Sequence, residues 1–471
     1  MQKKDFFIHL FRTLSSYYLY DANINSIIKI NRETYNKLSN KQENLDEDLQ
    51  IRKIKERGFL QPVDENLIIE HPLTDKVESY IQNNLSLLIL QVTQNCNLRC
   101  KYCVYSGSYV NRVHTNKRMS FETAKQAVDF YYDHSKNVDI ASISFYGGEP
   151  LLEYELIKNI VEYCEKKFSG KQLNLNMTTN ATLLTDEMMS FLQLHKINLT
   201  ISLDGPEEIQ NKSRVFADHE TGTFARIVDN LDKFRHLYPS YVDTISFNAV
   251  FDEENNFKLS SDFFSFDFMK NSTVTFTTVS NRDAKEEKDV QEEFVINYKY
   301  ELFKMFLFCI GRLGQEDVSK LLSAHINKLK QSMHEHLKKP FISNGKTYPS
   351  GPCIPGVNRL FVTVDGELFP CERVSETNSA YKIGSLKDGF YLNKVKELLN
   401  IAQYTKKQCS SCWAMGYCDG CVSDMSEGDK LIAQKRLERC ASVRFTTDEL
   451  MKELVLCQDL VQVKMRNFSP F

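Results

Sequence analysis

The sequence predicts an α/β protein built around a partial barrel of six β/α units, (β/α)6, with a smaller domain on each side. Short apolar segments alternate with helical patterns from about residue 86 to residue 300, which is typical of parallel β/α units. The first 85 residues instead show short strands followed by charged helices. Ten of the thirteen cysteines fall in two groups, at 96–103 and at 353–440.

These observations divide the chain into five segments. We expect a small domain at 1–85, the partial barrel at 86–300, a helical bridge at 301–350, a cysteine-rich domain at 351–445 and a C-terminal helix at 446–471. With 471 residues, the chain is long enough for several independent cores.

Composition and charge narrow the functional classes. The chain has 42% hydrophobic and 26% charged residues, as soluble globular proteins do. Its formal net charge of -3 gives no general affinity for polyanions, so we expect no nucleic acid partner. Residues 1–14 lack the apolar core and cleavage site of a signal peptide, and the apolar run at 85–90 is too short to span a membrane. We therefore expect a cytoplasmic protein with no membrane partner.

The individual elements follow from local patterns. In the first domain, strand-like segments cover 6–11, 17–20 and 26–30, and helical patterns cover 33–38 and 45–57. In the barrel, strands are expected at 87–92, 140–145, 173–177, 199–203, 244–250 and 273–279, and helices at 120–135, 153–168, 185–194 and 224–234. Because the carboxyl ends of barrel strands carry the chemistry, we expect the functional residues at those ends.

The first strand leads into three cysteines spaced CxxxCxxC, namely Cys96, Cys100 and Cys103. A cubane iron-sulfur cluster is normally held by four cysteines. Three thiolates would leave one iron without a protein ligand and therefore open to another molecule. The alternatives are a zinc site or three unrelated buried cysteines, but structural zinc needs four ligands and this triplet supplies three.

The next three strands also end in polar or glycine-rich segments. The second strand ends in Tyr146-Gly147-Gly148-Glu149-Pro150, the third in Thr178-Thr179-Asn180 and the fourth in Ser202-Leu203-Asp204. The CxxxCxxC spacing followed by Gly-Gly-Glu-Pro resembles the signature of the radical S-adenosylmethionine (SAM) enzymes, whose catalytic domain is a TIM-like partial barrel. This resemblance implies a 4Fe-4S cluster that binds SAM, an external reductant such as a flavodoxin or ferredoxin, and a 5'-deoxyadenosyl radical.

The resemblance also assigns roles to single residues. Gly147, Gly148, Glu149 and Pro150 would approach the SAM ammonium group, Asn180 and Ser202 the ribose or methionine part, Arg214 the SAM carboxylate and Tyr102 the adenine. Asp204 would lie near the substrate as a catalytic residue that takes a proton. The plain alternatives are turn residues for Asn180 and Asp204, core packing for Tyr102 and a surface cation for Arg214.

Seven cysteines follow between residues 353 and 440. They are Cys353, Cys371, Cys409, Cys412, Cys418, Cys421 and Cys440, and twelve residues separate the first of them from Gly366. Seven are too many for one four-ligand metal site. The pattern resembles the SPASM domain of peptide-modifying radical SAM enzymes, although Cys418 and Cys421 are separated by two residues where that family usually has three.

The SPASM resemblance implies two auxiliary 4Fe-4S clusters, for three clusters in all. One would be held by Cys409, Cys412, Cys418 and Cys440, and the other by Cys353, Cys371 and Cys421. Because residues 342–352 contain no further cysteine, one auxiliary iron would be open to the thiolate of a substrate cysteine. The alternatives are Cys309, water or a backbone group as the fourth ligand, and a zinc ribbon formed by Cys409, Cys412, Cys418 and Cys421.

The arrangement of the first 85 residues resembles the winged-helix-like domain that binds leader peptides on many peptide-modifying enzymes; the alternative is a cap that only covers the barrel. Together these resemblances imply a maturase that forms thioether crosslinks in a cysteine-rich precursor peptide, of the sactipeptide or ranthipeptide type. An anaerobic sulfatase-maturing enzyme, a carbon-carbon crosslinking enzyme and a non-catalytic metal-binding protein are the alternatives.

Overall fold

The structure is a computed structural model that describes residues 6–40, 45–62, 66–110, 112–251, 256–266, 269, 272–279, 284–286, 291–322, 345–349 and 353–467. The strands are β1 (Ile8–Arg12), β2 (Tyr17–Asp21), β3 (Ser26–Ile30), β4 (Ile68–Ile69), β5 (Leu87–Thr93), β6 (Ile140–Gly147), β7 (Gln172–Thr179), β8 (Asn198–Ser202), β9 (Ser246–Phe251), β10 (Thr273–Thr278), β11 (Lys346–Thr347), β12 (Leu360–Val362), β13 (Glu367–Phe369), β14 (Gly384–Ser385), β15 (Gly389–Phe390), β16 (Ser426–Glu427) and β17 (Lys430–Leu431).

The helices are α1 (Arg32–Ser39), α2 (Leu49–Glu56), α3 (Val77–Asn83), α4 (Phe121–His134), α5 (Tyr154–Lys167), α6 (Asp186–Leu194), α7 (Glu207–Ser213), α8 (Phe224–Leu237), α9 (Pro239–Val242), α10 (Phe257–Phe264), α11 (Glu292–Cys309), α12 (Leu392–Leu399), α13 (Lys406–Cys409), α14 (Ala433–Glu438) and α15 (Cys440–Asn467). None of the helices in the described part of the chain has the length and apolarity needed to cross a membrane.

The chain divides into two compact units. The first unit comprises Met1–Asp75, His325–Pro352 and Lys396–Phe471, and the second comprises Lys76–Ala324 and Cys353–Val395. The predicted division into five segments remains a prediction, and residues 323–344 and 350 of the helical bridge predicted at 301–350 lie outside the described residues.

A ten-stranded sheet forms the centre of the second unit. Its order is β10-β9-β8-β7-β6-β5-β12-β13-β14-β15, and β5 to β10 are all parallel. Helices α4, α5, α6, α8 and α10 lie in the connections between these six strands. The prediction of a mixed α/β fold with a partial, TIM-like (β/α)6 barrel is therefore confirmed, and each of the six predicted barrel strands overlaps a strand of this sheet.

The barrel sheet continues past β5 into the cysteine-rich part of the chain. β12 pairs in parallel with β5, with Leu360 opposite Leu88 and Val362 opposite Leu90. β13, β14 and β15 then add antiparallel strands. Residues 353–395 thus complete the sheet of the second unit.

A three-stranded antiparallel sheet of order β1-β2-β3 begins the first unit. On one of its faces, Leu19 and Ile30 pack with the α2 residues Ile51 and Ile54. A second core, which includes Phe7, Phe11, Tyr18 and Tyr20, packs against Met451 and Val455 of α15 and against the side chains of Trp413 and Tyr417. Apolar residues on both faces of the strands are therefore buried within this unit.

Candidate active site

The three cysteines of the CxxxCxxC motif lie in the loop that follows β5. Cys100 is buried, and Cys96 and Cys103 are half-buried. The Leu98 N–H donates to Cys96 Sγ at 3.3 Å, and the Cys103 N–H donates to the Cys100 carbonyl at 3.0 Å. Burial, followed by the nearby Glu149 carboxylate and the other two thiols, raises the pKa of the Cys96 thiol. The loop therefore holds three mutually close thiols, and a nearby positive charge would favour the thiolate of Cys96.

Gly147 and Gly148 allow the end of β6 to pack directly against the backbone that leads into this loop. The Gly148 N–H donates to the Thr93 carbonyl at 3.0 Å. Gly147 has a φ of +149°, which favours glycine, and a Cβ there would collide with the Thr93 carbonyl. A Cβ on Gly148 would collide with the Asn95 carbonyl. The predicted contacts of both glycines with SAM remain predictions, but neither position accepts a side chain.

Glu149 joins the ends of β6 and β7. Its carboxylate is buried and accepts hydrogen bonds from Thr179 Oγ1 at 2.6 Å, from the Asn180 N–H at 2.8 Å and from the Leu151 N–H at 3.1 Å. Burial raises the pKa of Glu149, and these three donors oppose that shift. Pro150, also buried, follows and begins a short 3-10 turn. Hydrogen-bond donors of the protein itself thus bind the Glu149 carboxylate, for which a contact with SAM was predicted.

Asn180 connects the end of β7 to the cysteine loop. Its Nδ2 lies 2.9 Å from Asn97 Oδ1 and 3.9 Å from Cys96 Sγ. Its Oδ1 accepts from the N–H and the hydroxyl of Thr182 at 2.9 and 2.7 Å. Asn180 therefore fixes the position of Cys96 and lies next to its sulfur atom.

Ser202 is half-buried and is the last residue of β8. Asp204 lies two residues after it and is only 1% exposed. Its Oδ1 accepts from the Val250 N–H at 2.8 Å, and its Oδ2 accepts from Arg214 Nε at 2.9 Å and from the Tyr102 hydroxyl. Three donors are thus directed at one carboxylate. This geometry favours a role in orienting Arg214 and Tyr102, whereas the proton-taking role remains a prediction.

Arg214 connects Asp204 to the cysteine loop. Its guanidinium lies 5.3 Å from the centre of the Tyr102 ring. Burial raises the pKa of the Cys100 thiol to about 11, and hydrogen bonding and charge from Arg214 oppose that rise. Cys100, Tyr102, Asp204 and Arg214, which were predicted from four separate motif positions, therefore form one buried cluster of contacts.

A pocket in the first unit contains five of the seven C-terminal cysteines. This C-terminal pocket is lined by Cys409, Cys412, Cys418, Cys421 and Cys440, together with Arg436, Arg439 and Arg444. Within the described residues, no three His, Cys, Asp or Glu side chains converge as the ligands of a single metal ion do. The five thiols therefore line one pocket of this unit.

Cys353 and Cys371 belong to the second unit. Both thiols lie close enough to the Arg359 guanidinium to affect its pKa. Burial lowers the pKa of Arg359, but Glu372 and the two thiols outweigh burial, so that the pKa is raised. Arg359 also forms an ion pair with Glu372, with 2.8 Å between Nη1 and Oε1. The predicted assignment of Cys421 to the same cluster as Cys353 and Cys371 remains a prediction.

A model of the radical SAM superfamily matches residues 90–258, which include the cysteine loop, the Gly-Gly-Glu-Pro segment and the Asp204 cluster. This segment is a radical SAM domain. An uncharacterized protein of Methanocaldococcus jannaschii is 40% identical over 120 residues, which are 26% of this chain and 39% of the relative. A cysteine-type anaerobic sulfatase-maturating enzyme of Clostridium perfringens is 34% identical over 134 residues, 28% of this chain and 35% of the relative.

The chain therefore spans well under half the length of these curated relatives. A solved structure of native anSMEcpe with bound AdoMet and the Cp18Cys peptide has a TM-score of 0.57 and 20% identity, and the match covers 81% of this chain and 99% of that chain. This likeness supports the fold described above.

A radical SAM domain implies a 4Fe-4S cluster and SAM. The residues of the cysteine loop fit the cluster. Cys96, Cys100 and Cys103 supply three thiols from one loop, and the Asn180 amide and the Arg214 guanidinium are directed toward the sulfur atoms of Cys96 and Cys100.

Sequence reasoning missed a buried polar network beside the radical SAM site. Arg112 Nε lies 2.5 Å from Glu376 Oε2, and Glu376 Oε1 accepts from the Tyr105 hydroxyl at 2.7 Å and from Gln91 Nε2 at 3.0 Å. The network connects the loop after the cysteines to the segment that follows Cys371. The available signal was Gln91, a lone amide within the apolar strand β5, because a buried amide requires partners.

Proposed function

We propose that this enzyme matures a ribosomally made, cysteine-rich precursor peptide by linking cysteine sulfur to carbon. The observation that carries the proposal is the composition of the first unit. It combines a small antiparallel sheet at the N-terminus, whose edge strand β3 pairs on one side only within the described residues, and a pocket lined by five cysteines. A sheet edge can bind a peptide backbone, and a cluster can bind a peptide thiol.

The free edge suits a leader peptide. Among the described residues β3 pairs with β2 and with no other strand, so one row of its backbone N–H and C=O groups is available. An extended leader would add to this edge as a fourth strand, a common mode of peptide recognition. Both faces of the sheet are already packed, so the edge is the part of the sheet left for a partner.

The radical SAM domain would supply the reactive step. When bound, its cluster and SAM provide the one-electron chemistry that removes a hydrogen atom from a substrate carbon, after reduction by a flavodoxin- or ferredoxin-type donor. The chain's own residues hold this site in place. Glu149 fixes the ends of β6 and β7, Asn180 fixes the Cys96 segment, and Asp204 orients Arg214 toward Cys100.

We assign the C-terminal cysteines to two auxiliary 4Fe-4S clusters. Cys409, Cys412, Cys418 and Cys440 would hold one, and Cys353, Cys371 and Cys421 would hold the other, with an iron left open for a substrate cysteine. Binding to iron lowers the pKa of a thiol and so presents the substrate as the thiolate. Forming each link would remove one hydrogen atom from carbon and one proton from sulfur, and an auxiliary cluster held by these cysteines would supply the acceptor for the remaining electron.

The experiment uses the anaerobically reconstituted enzyme, SAM, dithionite and a synthetic peptide encoded by a short cysteine-rich reading frame beside the gene. We expect 5'-deoxyadenosine, a peptide lighter by two hydrogen atoms per link, and loss of one alkylatable thiol per link in tandem mass spectra. A matched peptide without its leader should react far more slowly. If 5'-deoxyadenosine forms while every peptide thiol remains alkylatable, the thioether proposal is wrong.

A sulfatase-maturing activity is the second candidate, because a relative of 34% identity is a cysteine-type anaerobic sulfatase-maturating enzyme. The same mass spectra distinguish the two functions. Conversion of a peptide cysteine to an aldehyde removes its sulfur and gives a product that reacts with hydrazides, whereas a thioether retains the sulfur.

A further inference from the structure

The C-terminal pocket contains a buried cation without a carboxylate partner. Arg436, on α14, is 6% exposed. Among the described residues no Asp or Glu lies within ion-pair distance of its guanidinium, whereas Arg439 in the same pocket pairs with Asp424. A buried charge is costly unless an opposite charge compensates it. Asp419 and Asp424 also line this pocket, but both lie against Arg439, so the groups that can become anionic next to Arg436 are the cysteine thiols.

The polar contacts of Arg436 lead to two of the cysteine segments. Its Nε donates to Thr405 Oγ1 at 3.2 Å, and its Nη1 donates to the Gly420 carbonyl, between Cys418 and Cys421, at 3.1 Å. Gly420 has a φ of +44°, and a Cβ there would lie 3.0 Å from Arg436 Nη2. The guanidinium is therefore packed against the turn that joins Cys418 to Cys421.

Thr405 extends this contact to a third cysteine. Its hydroxyl is buried and lies 3.2 Å from Cys409 Sγ and 3.4 Å from the Ala402 carbonyl. The hydroxyl carries one proton, and the Ala402 carbonyl and Cys409 Sγ are the two acceptors within reach of it. A Cys409 thiolate is a charged acceptor at the shorter distance, so the hydroxyl donates to it in preference to the carbonyl.

We propose that Arg436 and Thr405 position the Cys409 thiolate and set the reduction potential of the cluster bound in the C-terminal pocket. The inference rests on the part of the proposed function that places an auxiliary cluster there. The potentials of iron-sulfur clusters depend on net charge and on hydrogen bonds to sulfur. A buried cation and a donated hydrogen bond both stabilise the reduced, more negative cluster, so both raise its potential.

The test uses full-length protein in which Cys96, Cys100 and Cys103 are replaced by alanine, so that only auxiliary clusters contribute to the spectra. Midpoint potentials are measured by redox titration followed by electron paramagnetic resonance, without peptide. We expect Arg436→Met to lower the potential of one auxiliary cluster enough to change its oxidised-to-reduced ratio at least tenfold, which is about 59 mV for one electron. The matched control is Arg444→Met, which removes an exposed cation from the same pocket and should change the ratio less than Arg436→Met does.

A second pair of variants keeps the test decisive if Arg436→Met prevents cluster assembly. Thr405→Val removes the hydroxyl and keeps the shape, and should also lower the potential, whereas Thr405→Ser should restore it. Equal shifts for Arg436→Met and Arg444→Met, an unchanged potential in Thr405→Val, or wild-type protein without a cluster in this pocket would each overturn the inference. The measurement uses no peptide, so the potentials can be interpreted even if the enzyme forms no thioether.

Discussion

Replacing Asp204 by asparagine distinguishes an orienting carboxylate from one that takes a proton. Asp204 and Arg214 form a buried ion pair, with side chains 1% and 8% exposed and 2.9 Å between Oδ2 and Nε. Asparagine has nearly the same size and retains an oxygen that can accept from the Val250 N–H. The substitution therefore removes mainly the negative charge that compensates Arg214.

The expected loss of stability follows from the burial of that pair. Removing one partner of a buried ion pair typically costs about 3–5 kcal/mol, because the other charge remains buried without compensation. We expect Asp204→Asn to lower the free energy of unfolding by about 3 kcal/mol, the low end of that range, since the other contacts of the side chain survive. Asp133→Asn, an exposed aspartate on α4, is the matched control and should change it by less than about 0.5 kcal/mol.

Chemical denaturation of the cluster-free protein, followed by circular dichroism, measures this loss. The double variant Asp204→Asn/Arg214→Met should be less destabilised than the sum of the single variants, because it leaves no unpaired charge. Additive effects in the double variant would refute the orienting role. A stability within about 0.5 kcal/mol of wild type, combined with loss of turnover, would instead support a proton-taking Asp204.

Three further predictions concern other described contacts. Gly148→Ala should cost about 1–3 kcal/mol and reduce the iron bound at the radical SAM site, because the added Cβ meets the Asn95 backbone; an iron content equal to wild type would contradict this. Burial lowers the pKa of His9 from its ordinary value of 6.5, so the folded protein favours neutral His9. The free energy of unfolding should therefore fall as the pH drops below 6.5, and it should fall less steeply in His9→Gln. The fluorescence of the single tryptophan, which stacks on His9, reports this unfolding, and identical pH dependences would refute the assignment. Glu376→Gln should destabilise the protein by about 3–5 kcal/mol in urea unfolding, because it leaves Arg112 without its counter-charge; a change below about 0.5 kcal/mol would contradict this.

The barrel could be predicted because its strands are apolar segments bounded by polar turns. β5 and β8 were predicted to within one residue at each end for this reason. The short helices α3 and α7 have seven residues each and were missed, since two turns give too little periodicity to recognise. Local pattern therefore specified the long elements and left the short ones undetermined.

The contacts within the site were only partly predictable. Motif spacing selected Glu149, Asn180, Asp204 and Arg214, but it could not show that internal donors occupy both carboxylates. Nor could it show that β12, a strand of three residues, pairs with β5, because such short pairing is decided by tertiary packing. Arg436 stood out in no motif, since a buried arginine is recognised only from the partners around it.

The proposed function requires auxiliary clusters in addition to the cluster of the radical SAM domain. The most direct measurement is the iron and sulfide content, with Mössbauer spectra, of anaerobically reconstituted wild type beside the variant in which Cys96, Cys100 and Cys103 are replaced by alanine. We predict three 4Fe-4S clusters in wild type and two in the variant. A single cluster in wild type, or zinc in the C-terminal pocket, would contradict the account.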